Sequence, residues 1–212
     1  MIYKRPIGII LNPNSGKKRD LKPLIEKRLS EHGIPYEVIP TSKVFDTFQF
    51  AYDLDLSKYS ALVAVGGDGS ISEVYNGMMA RPDGYRLPLG VIPNGSGNEW
   101  AYTLGIESAE EAIDTLIAAT VIKADSVRVL TDCEKNEDVP VGIEGYKKRR
   151  YSLACTGDGD IVKAITQDAP PLKPYFGNAS YFIVFFSLLL IKGMSQNVYD
   201  IEVDGVKVQT GS

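Results

Sequence analysis

The chain has 212 residues, of which 44% are hydrophobic and 24% are charged, and its formal net charge is −4. These values are typical of a globular protein long enough for one large domain, or for one domain and part of a second, and they argue against an intrinsically disordered chain. A net negative charge offers no basic surface to nucleic acid, so we expect no nucleic-acid partner. Any anionic ligand would have to be held by local geometry.

The N-terminus runs directly into a strand pattern and has no signal-peptide features. Cys133 and Cys155 do not have the spacing of a metal site, and His32 is the only histidine. We therefore expect an intracellular, cytoplasmic protein. The apolar run at 181–191 has eleven residues, whereas a bilayer-spanning helix needs about 20. This run predicts a buried element or one wall of an apolar pocket.

Strand patterns alternate with helical patterns in the first half of the chain. Short apolar runs predict strands at 7–11, 36–39, 61–65 and 87–92. Helical spacing of apolar residues predicts helices at 21–31, 45–54, 71–79, 99–104 and 108–119. A capping box, Ser108 to Glu111, opens the last of these helices. This alternation is typical of an α/β fold in which a mostly parallel sheet carries helices on both faces.

The pattern changes after about residue 125. Strands are predicted at 127–130 and 151–155, and a strand hairpin at 200–209, without long helices between them. We therefore predict two domains. The first, at 1–125, is a Rossmann-like, nucleotide-binding α/β domain, and the second, at 126–212, is β-rich and incomplete.

Three glycine-containing turns each follow a predicted strand, at 12–16, 66–70 and 93–98. The carboxyl ends of parallel strands meet at one edge of a sheet, where ligands bind in such folds. Each turn also precedes a helical pattern, and a helix N-terminus offers unpaired N–H groups and a positive dipole end to an anion. The turn at 12–16 fits an ordinary β-to-α connection when taken alone. Together, the three turns predict one anion-binding edge.

The turn at 66–70 carries one acid, Asp68, among three glycines. The glycines remove Cβ atoms where the backbone could touch phosphate oxygens. A carboxylate beside phosphates is unfavourable unless a hydrated Mg²⁺ lies between them, or unless the carboxylate takes a proton from an attacking hydroxyl. Both roles stay open for Asp68. The sequence lacks the P-loop pattern, which excludes a P-loop NTPase, and it has no G-x-G-x-x-G after the first strand, which disfavours a dinucleotide-binding domain.

The segments 12–16, 66–77 and 88–98 together resemble the diacylglycerol kinase catalytic domain, which diacylglycerol, sphingosine and ceramide kinases share with bacterial lipid kinases. The resemblance covers roughly residues 6–130, and several motifs look closest to sphingosine kinases. It implies an ATP-dependent lipid kinase that uses Mg²⁺ and transfers the γ-phosphate to a hydroxyl of a sphingoid base or diacylglycerol. It also implies that 126–212 is part of a lipid-substrate domain, and that the protein makes peripheral contact with membranes.

The resemblance gives the site residues expected roles. Asp68 would be the catalytic acid–base or would organise Mg²⁺ through water, and Thr41 would lie near the adenosine. Asp160 would bind the polar head of the lipid, and the run 181–191 would flank the acyl-chain pocket. The other nucleotide-binding residues would be Asn12, Ser15, Gly16, Gly66, Gly67, Gly69, Ser70, Glu73, Gly95, Ser96 and Asn98.

Two other functions stay open. Lys173 stands in a segment where sphingosine kinases carry phosphate-clamping arginines, and the last strands of the family's second domain are missing. These differences favour a degenerate, kinase-like subunit that binds nucleotide or has a structural role. A kinase of a soluble substrate, such as an NAD kinase, shares the glycine-rich turn at 66–70 but not the turn at 93–98.

Overall fold

The computed structural model describes residues 3–12, 19–41, 46–130, 149–154, 169–177, 179–192, 201–203 and 206–208. Contacts between residues divide the chain into two compact units, Met1–Cys155 and Thr156–Ser212. Three of the predicted site residues, Ser15, Gly16 and Asp160, lie outside the described residues.

The first unit alternates strands and helices in the predicted order. Its elements are β1 (Ile7–Leu11), α1 (Lys22–Glu31), β2 (Tyr36–Pro40), α2 (Asp46–Asp53), a 3-10 helix (Leu56–Lys58), β3 (Ala61–Gly66), α3 (Asp68–Ala80), β4 (Leu89–Pro93), α4 (Glu99–Thr103), α5 (Ala109–Ala118), β5 (Val127–Leu130) and β6 (Arg149–Ser152). Each strand and α-helix in the described part of this unit thus overlaps a predicted one, and the bounds differ most for β6 and where α3 begins.

The first four strands form a parallel sheet in the order β2-β1-β3-β4. In its register Leu11 lies beside both Pro40 and Val65, and Gly66 lies beside Pro93. The carboxyl ends of all four strands therefore lie along one edge. The predicted α/β fold with a mostly parallel sheet is confirmed.

Alternate strand residues face two separate apolar cores, as the two-residue period of a strand requires. The core between the sheet and helices α1 and α5 contains Ile7, Ile9, Leu11, Ile25, Leu29, Val63, Ile113 and Leu116. The core on the other face, against α2, α3 and α4, contains Ile10, Ala51, Leu62, Ala64, Ile71, Val74 and Trp100. Helices therefore cover both faces of the sheet.

Strands β5 and β6 form an antiparallel pair in which Val127 lies opposite Ser152 and Arg128 lies opposite Tyr151. The pair belongs to the first compact unit, although it falls in the region 126–212 that the sequence assigns to a second domain. The domain boundary at 125/126 stays a prediction.

The second unit contains a 3-10 helix (Pro170–Leu172), helices α6 (Lys173–Phe176) and α7 (Ala179–Lys192), and the antiparallel strands β7 (Ile201–Val203) and β8 (Val206–Val208). The terminal hairpin is confirmed. A 14-residue helix between β6 and β7 was not predicted, because an unbroken apolar run has no period that separates a helix from a strand.

The prediction of a buried element at 181–191 is wrong for most of its described side chains. Phe182, Phe186 and Leu190 are 68%, 58% and 86% exposed, whereas Val184 packs with Ala169 in a small apolar cluster. The described part of the unit offers too few apolar partners to cover a helix that is hydrophobic on all sides. Among the described residues, no helix has the length and apolar character to cross a membrane.

Candidate functional site

The glycine-rich turn after β3 is the start of helix α3. Gly67 is the N-cap in an extended conformation, and Asp68 is the first helical residue. The N–H of Ile71 already donates to the carbonyl of Gly67 at 3.1 Å. The expected separate loop at 66–70 is therefore corrected: Asp68, Gly69 and Ser70 form the first helical turn. The main-chain N–H groups of a first turn have no partner within the helix, so they can serve an anion at the sheet edge.

The turns after β3 and β4 touch each other through glycine backbone. A Cβ atom placed on Gly95 would lie 2.6 Å from the Cα of Gly67, closer than real Cβ atoms approach other atoms. The N–H of Asn94 also donates to the carbonyl of Gly66 at 2.8 Å, which continues the pairing of β3 with β4. This close approach requires glycine at 95, and it joins two of the three predicted turns into one surface.

The carboxylate of Asp68 anchors the main chain of the turn after β4. Its Oδ2 accepts a hydrogen bond from the N–H of Asn98 at 2.8 Å, and its Oδ1 accepts one from the N–H of Trp100 at 3.0 Å. Asp68 therefore satisfies N–H groups at the start of α4, a structural role that the sequence did not predict. Each carboxylate oxygen keeps further acceptor capacity, so these bonds leave room for a ligand.

Asn98 shapes the same turn with its own side chain. Its backbone is left-handed, with φ 62° and ψ 33°, a conformation that asparagine tolerates better than most residues. Its Oδ1 accepts from the N–H of Gly95 at 2.8 Å, and its Nδ2 donates to the carbonyl of Gly95 at 3.3 Å. Ser96 is exposed at the tip of this turn.

The turn after β1 joins the same edge through Asn12. The Nδ2 of Asn12 donates to Oγ of Ser70 at 2.9 Å, and its N–H donates to the carbonyl of Val65 at 3.2 Å. Arg19 is the first described residue after Asn12, and its carbonyl accepts a hydrogen bond from Nδ2 of Asn94 at 3.0 Å. The described residues of all three turns thus meet at one edge, as the sequence predicted.

Thr41 follows β2 at this same edge but is only 4% exposed. Its N–H and its hydroxyl both donate to the carbonyl of Leu11, at 2.9 and 3.3 Å. The threonine therefore fastens the ends of β1 and β2 together. Its position near an adenosine stays a prediction.

Glu73 lies in the second turn of α3 and links this helix to α2. The hydroxyl of Thr47, which is buried, donates to Oε2 of Glu73. Burial raises the pKa of Glu73 above its ordinary value; the charge of Asp46 also raises it, whereas the hydrogen bond from Thr47 lowers it. Glu73 therefore holds α2 against α3, close to the carboxyl edge of the sheet.

Sequence reasoning missed two residues of α3 that hold the β5–β6 pair. The side chain of Asn76, 2% exposed, hydrogen-bonds to the main chain of Tyr151, and the ring of Tyr75 packs against the rings of Trp100 and Tyr151. An asparagine on the otherwise apolar face of a predicted helix was the available signal, because a buried amide must find hydrogen-bond partners.

The residues at the edge fit the phosphates of a magnesium nucleotide. The Cβ position of Gly69, in the first turn of α3, has no atom within 4 Å, so the space beside this residue is open to a ligand. Magnesium that arrives with a nucleotide needs only one or two carboxylates besides phosphate oxygens and water, and Asp68 provides one. In the described part of the chain, no group of three or more His, Cys, Asp or Glu side chains is placed to hold a metal without a nucleotide.

Comparisons with known proteins give one consistent result. The profile of the diacylglycerol kinase catalytic domain matches residues 6–129. A diacylglycerol kinase from Staphylococcus epidermidis is 32% identical over 186 residues, which cover 85% of this chain and 52% of the relative. Sphingoid long-chain bases kinase 1 from Arabidopsis thaliana is 33% identical over 209 residues, which cover 95% of this chain and 25% of the relative. The chain thus spans about half the length of the first relative and a quarter of the second.

A solved structure agrees at the level of the fold. A diacylglycerol kinase from Bacillus anthracis superposes with a TM-score of 0.51 at 24% identity, over 60% of this chain and 46% of that chain. The matched profile includes the parallel sheet and all three turns at its carboxyl edge. The chain therefore belongs to the diacylglycerol kinase catalytic domain family.

Proposed function

We propose that this chain contains the nucleotide-binding part of an ATP-dependent lipid kinase, which transfers the γ-phosphate of ATP to a hydroxyl of diacylglycerol or a sphingoid base. The observation that carries the proposal is the meeting of Gly67 and Gly95, which brings two glycine turns and the first turn of α3 to one sheet edge. The names of the relatives support the two acceptor classes, because one is a diacylglycerol kinase and the other a sphingoid base kinase.

In this proposal the first turn of α3 binds the phosphates. The N–H groups of Gly69 and Ser70 point their positive ends toward the sheet edge, and the helix dipole adds to their attraction for phosphate oxygens. The hydrogen bond between Asn12 and Ser70 holds the neighbouring turn in place. Gly95, Ser96 and Asn98 close the other side of the nucleotide, and Thr41 lies on the adenosine side.

Asp68 is the proposed catalytic residue. Its two main-chain hydrogen bonds fix the carboxylate before any ligand arrives, so little reorganisation is needed during the reaction. In the proposed reaction the Asp68 carboxylate accepts the proton of the acceptor hydroxyl or orients the water shell of Mg²⁺. The metal, when it is bound with ATP, neutralises charge on the phosphates. Asp160 binds the polar head of the lipid, and the lipid acceptor brings the protein into peripheral contact with a membrane.

The test combines nucleotide binding with a lipid-panel kinase assay. Titration calorimetry with Mg²⁺-ATP should show saturable binding, and labelled ATP should give a phospholipid with diacylglycerol or sphingosine in the natural full-length protein. In Asp68→Asn we expect kcat to fall by about 100-fold or more, the effect of losing a general base. Since asparagine keeps only one acceptor oxygen for the two N–H groups, the melting temperature of the variant must be measured as well. Absence of saturable nucleotide binding at millimolar concentration would contradict the proposal.

The second candidate function is a degenerate subunit that binds nucleotide without turnover. The structure favours it in one respect, because the hydrogen bonds of Asp68 to Asn98 and Trp100 give this acid a structural purpose that needs no catalysis. The same assay decides between the two functions. Saturable binding without product from any lipid supports the degenerate subunit.

A further inference from the structure

The side chain of Asn76 acts on β6 in the way that a neighbouring strand would. Its Oδ1 accepts from the N–H of Tyr151 at 2.8 Å, and its Nδ2 donates to the carbonyl of the same residue at 3.0 Å. The Nδ2 also donates to the carbonyl of Ser72 at 2.9 Å, within α3. A single buried amide thus satisfies the main chain of β6 on the edge away from β5.

Tyr75, the preceding residue, makes a second connection between the same elements. Its hydroxyl hydrogen-bonds to Oγ of Ser126, just before β5, at 2.9 Å. Its ring packs edge-on against Tyr151, with centroids 6.5 Å apart, and against Trp100, with centroids 5.4 Å apart. Tyr75 therefore contacts the β5–β6 pair at the end where β5 begins and β6 ends, and it also contacts the helix α4.

These contacts form a continuous path from Asp68, at the carboxyl edge of the sheet, to the hairpin. The carboxylate of Asp68 holds the N–H of Trp100, the indole packs on Tyr75, and Tyr75 and Asn76 hold Tyr151. Every step is a hydrogen bond or an aromatic contact between described residues. A change in the position of Asp68 can therefore reach β6 without passing through solvent.

Strand β5 presents large apolar side chains to solvent. Val127 and Leu130 of β5 are 60% and 67% exposed, and a two-stranded antiparallel pair is marginally stable in water by itself. The contacts from α3 therefore contribute to the position of the hairpin, together with the packing of Leu153 and Ala154 against the core.

We propose that Tyr75 and Asn76 are positioning residues for the phosphoryl acceptor. They hold the β5–β6 hairpin, where the proposed acceptor region 126–212 begins, in a fixed relation to the carboxylate of Asp68. The inference rests on the proposed function for the identity of the acceptor, a lipid hydroxyl. The structural coupling between Asp68 and the hairpin, through Trp100 and Tyr75, does not depend on any ligand.

The ligand-free part is tested by amide hydrogen exchange of residues 127–130 in the intact chain. In the wild-type background, Asp68→Asn should speed this exchange by about threefold or more, within the range of measured couplings between contacting residues. In the Tyr75→Ala background, which lacks the ring between Trp100 and Tyr151, the same substitution should have almost no additional effect. Asn76→Asp keeps the acceptor for Tyr151 but loses the donor, and Tyr75→Phe loses only the hydroxyl, so both should retain part of the coupling.

Arg81→Ala is the matched control for general destabilisation. Arg81 follows the last turn of α3 and donates to the carbonyls of Tyr52 and Leu54 at 2.5 and 2.8 Å, in and just after α2. Its loss should weaken the packing of α2 on α3 and leave the effect of Asp68→Asn on the hairpin unchanged. If Asp68→Asn and Tyr75→Ala act additively on exchange, as Asp68→Asn and Arg81→Ala should, the positioning role is refuted.

Kinetics in the natural full-length protein test the part that concerns the acceptor. Asn76→Ala should raise KM for the lipid about fivefold or more, while the Kd for Mg²⁺-ATP stays within about twofold, since uniform loss of acceptor binding appears in KM. A purely structural defect would lower the amount of active enzyme and leave both constants unchanged, which would overturn the acceptor role. Absence of nucleotide binding in the wild type would refute the proposed function, and the exchange experiment would still decide the coupling.

Discussion

Gly67 and Gly95 follow different strands, yet their backbones approach so closely that Gly95 has no room for a side chain and Gly67 has little room for one. A Cβ on Gly95 would lie 2.6 Å from the Cα of Gly67, and a Cβ on Gly67 would lie 3.3 Å from the Cα of Gly95. The clash is with main chain, which cannot rotate away as a flexible side chain can. This contact fixes how closely the turns after β3 and β4 approach each other.

Gly95→Ala should therefore open the edge. The added methyl group would also come within 2.9 Å of Oδ1 of Asn98, so the whole turn at 93–98 must shift and its hydrogen bonds to Asp68 must weaken. We expect a loss of about 1–3 kcal/mol in the free energy of unfolding, the usual cost of overpacking. We also expect at least a tenfold loss of Mg²⁺-ATP affinity, which corresponds to about 1.4 kcal/mol. Urea unfolding and calorimetric titration measure the two effects.

Gly69→Ala is the control for this substitution. Its Cβ position is empty, and the residue lies in the first turn of α3. Alanine there should leave the stability unchanged or raise it by up to about 1 kcal/mol. Nucleotide affinity should nevertheless fall if phosphate oxygens contact the backbone at Gly69. Unchanged affinity in Gly69→Ala would argue that the phosphates lie elsewhere.

A second glycine of α3, Gly77, should not tolerate alanine, because it lies where α3 packs against α2. A Cβ there would lie 2.3 Å from the carbonyl oxygen of Phe48 and 3.1 Å from the Cβ of Ala51, where α3 crosses α2. We expect Gly77→Ala to cost about 2 kcal/mol or more in unfolding free energy, because two helices must separate. The same chemical change at Gly69, in the same helix, should be harmless. Equal stabilities of the two variants in urea would contradict this packing.

The sequence predicts that the three turns meet at one edge of the sheet, because the information needed for this prediction is local. Each strand is a short apolar run, each turn contains glycine, and the parallel sheet that the alternation implies brings the carboxyl ends of its strands to one edge. The contacts of Asn12 with Ser70 and of Gly67 with Gly95 therefore follow once the sheet is known. No single turn would have been sufficient.

The bonds that complete the site could not be predicted, because they depend on distant main chain. The carboxylate of Asp68 binds the N–H of a residue 32 positions later, and Asn76 binds Tyr151, 75 positions later. Main-chain N–H and carbonyl groups are the same at every residue, so the sequence does not indicate which of them a side chain will reach. It shows only that a buried amide or carboxylate needs partners.

The capping box of α5 offers a test of local prediction. Oγ of Ser108 accepts from the N–H of Glu111 at 3.1 Å, as expected. The carboxylate of Glu111 returns to the N–H of Glu107, at 2.9 Å, one residue before the position that the motif implies. Ser108→Ala should lower the unfolding free energy by about 1 kcal/mol, measured by thermal or urea unfolding. Ser108→Thr keeps the acceptor and should recover most of the loss; a loss as large as that of Ser108→Ala would contradict the capping role.

Glu73 should make the stability of the first unit depend on pH in a predictable direction. Burial raises the pKa of Glu73 in the folded chain above its ordinary value of 4.5, so the folded state holds this proton more tightly than the unfolded state. The contribution of Glu73 to stability is therefore fully present below the unfolded pKa. It is lost as the pH rises through the higher folded pKa, because the ionised carboxylate is poorly solvated at this site.

Glu73→Gln should abolish this dependence. The amide oxygen of glutamine can still accept the hydrogen bond from Thr47, and glutamine has no charge to desolvate. We expect the variant to be more stable than the wild type at pH 7, and the difference to shrink as the pH falls toward 4.5. Urea unfolding at several pH values measures it, with Glu99→Gln, at an exposed acid of α4, as the control. If the advantage of Glu73→Gln instead grows as the pH falls, the carboxylate is stabilised in the folded chain and burial is not the dominant effect.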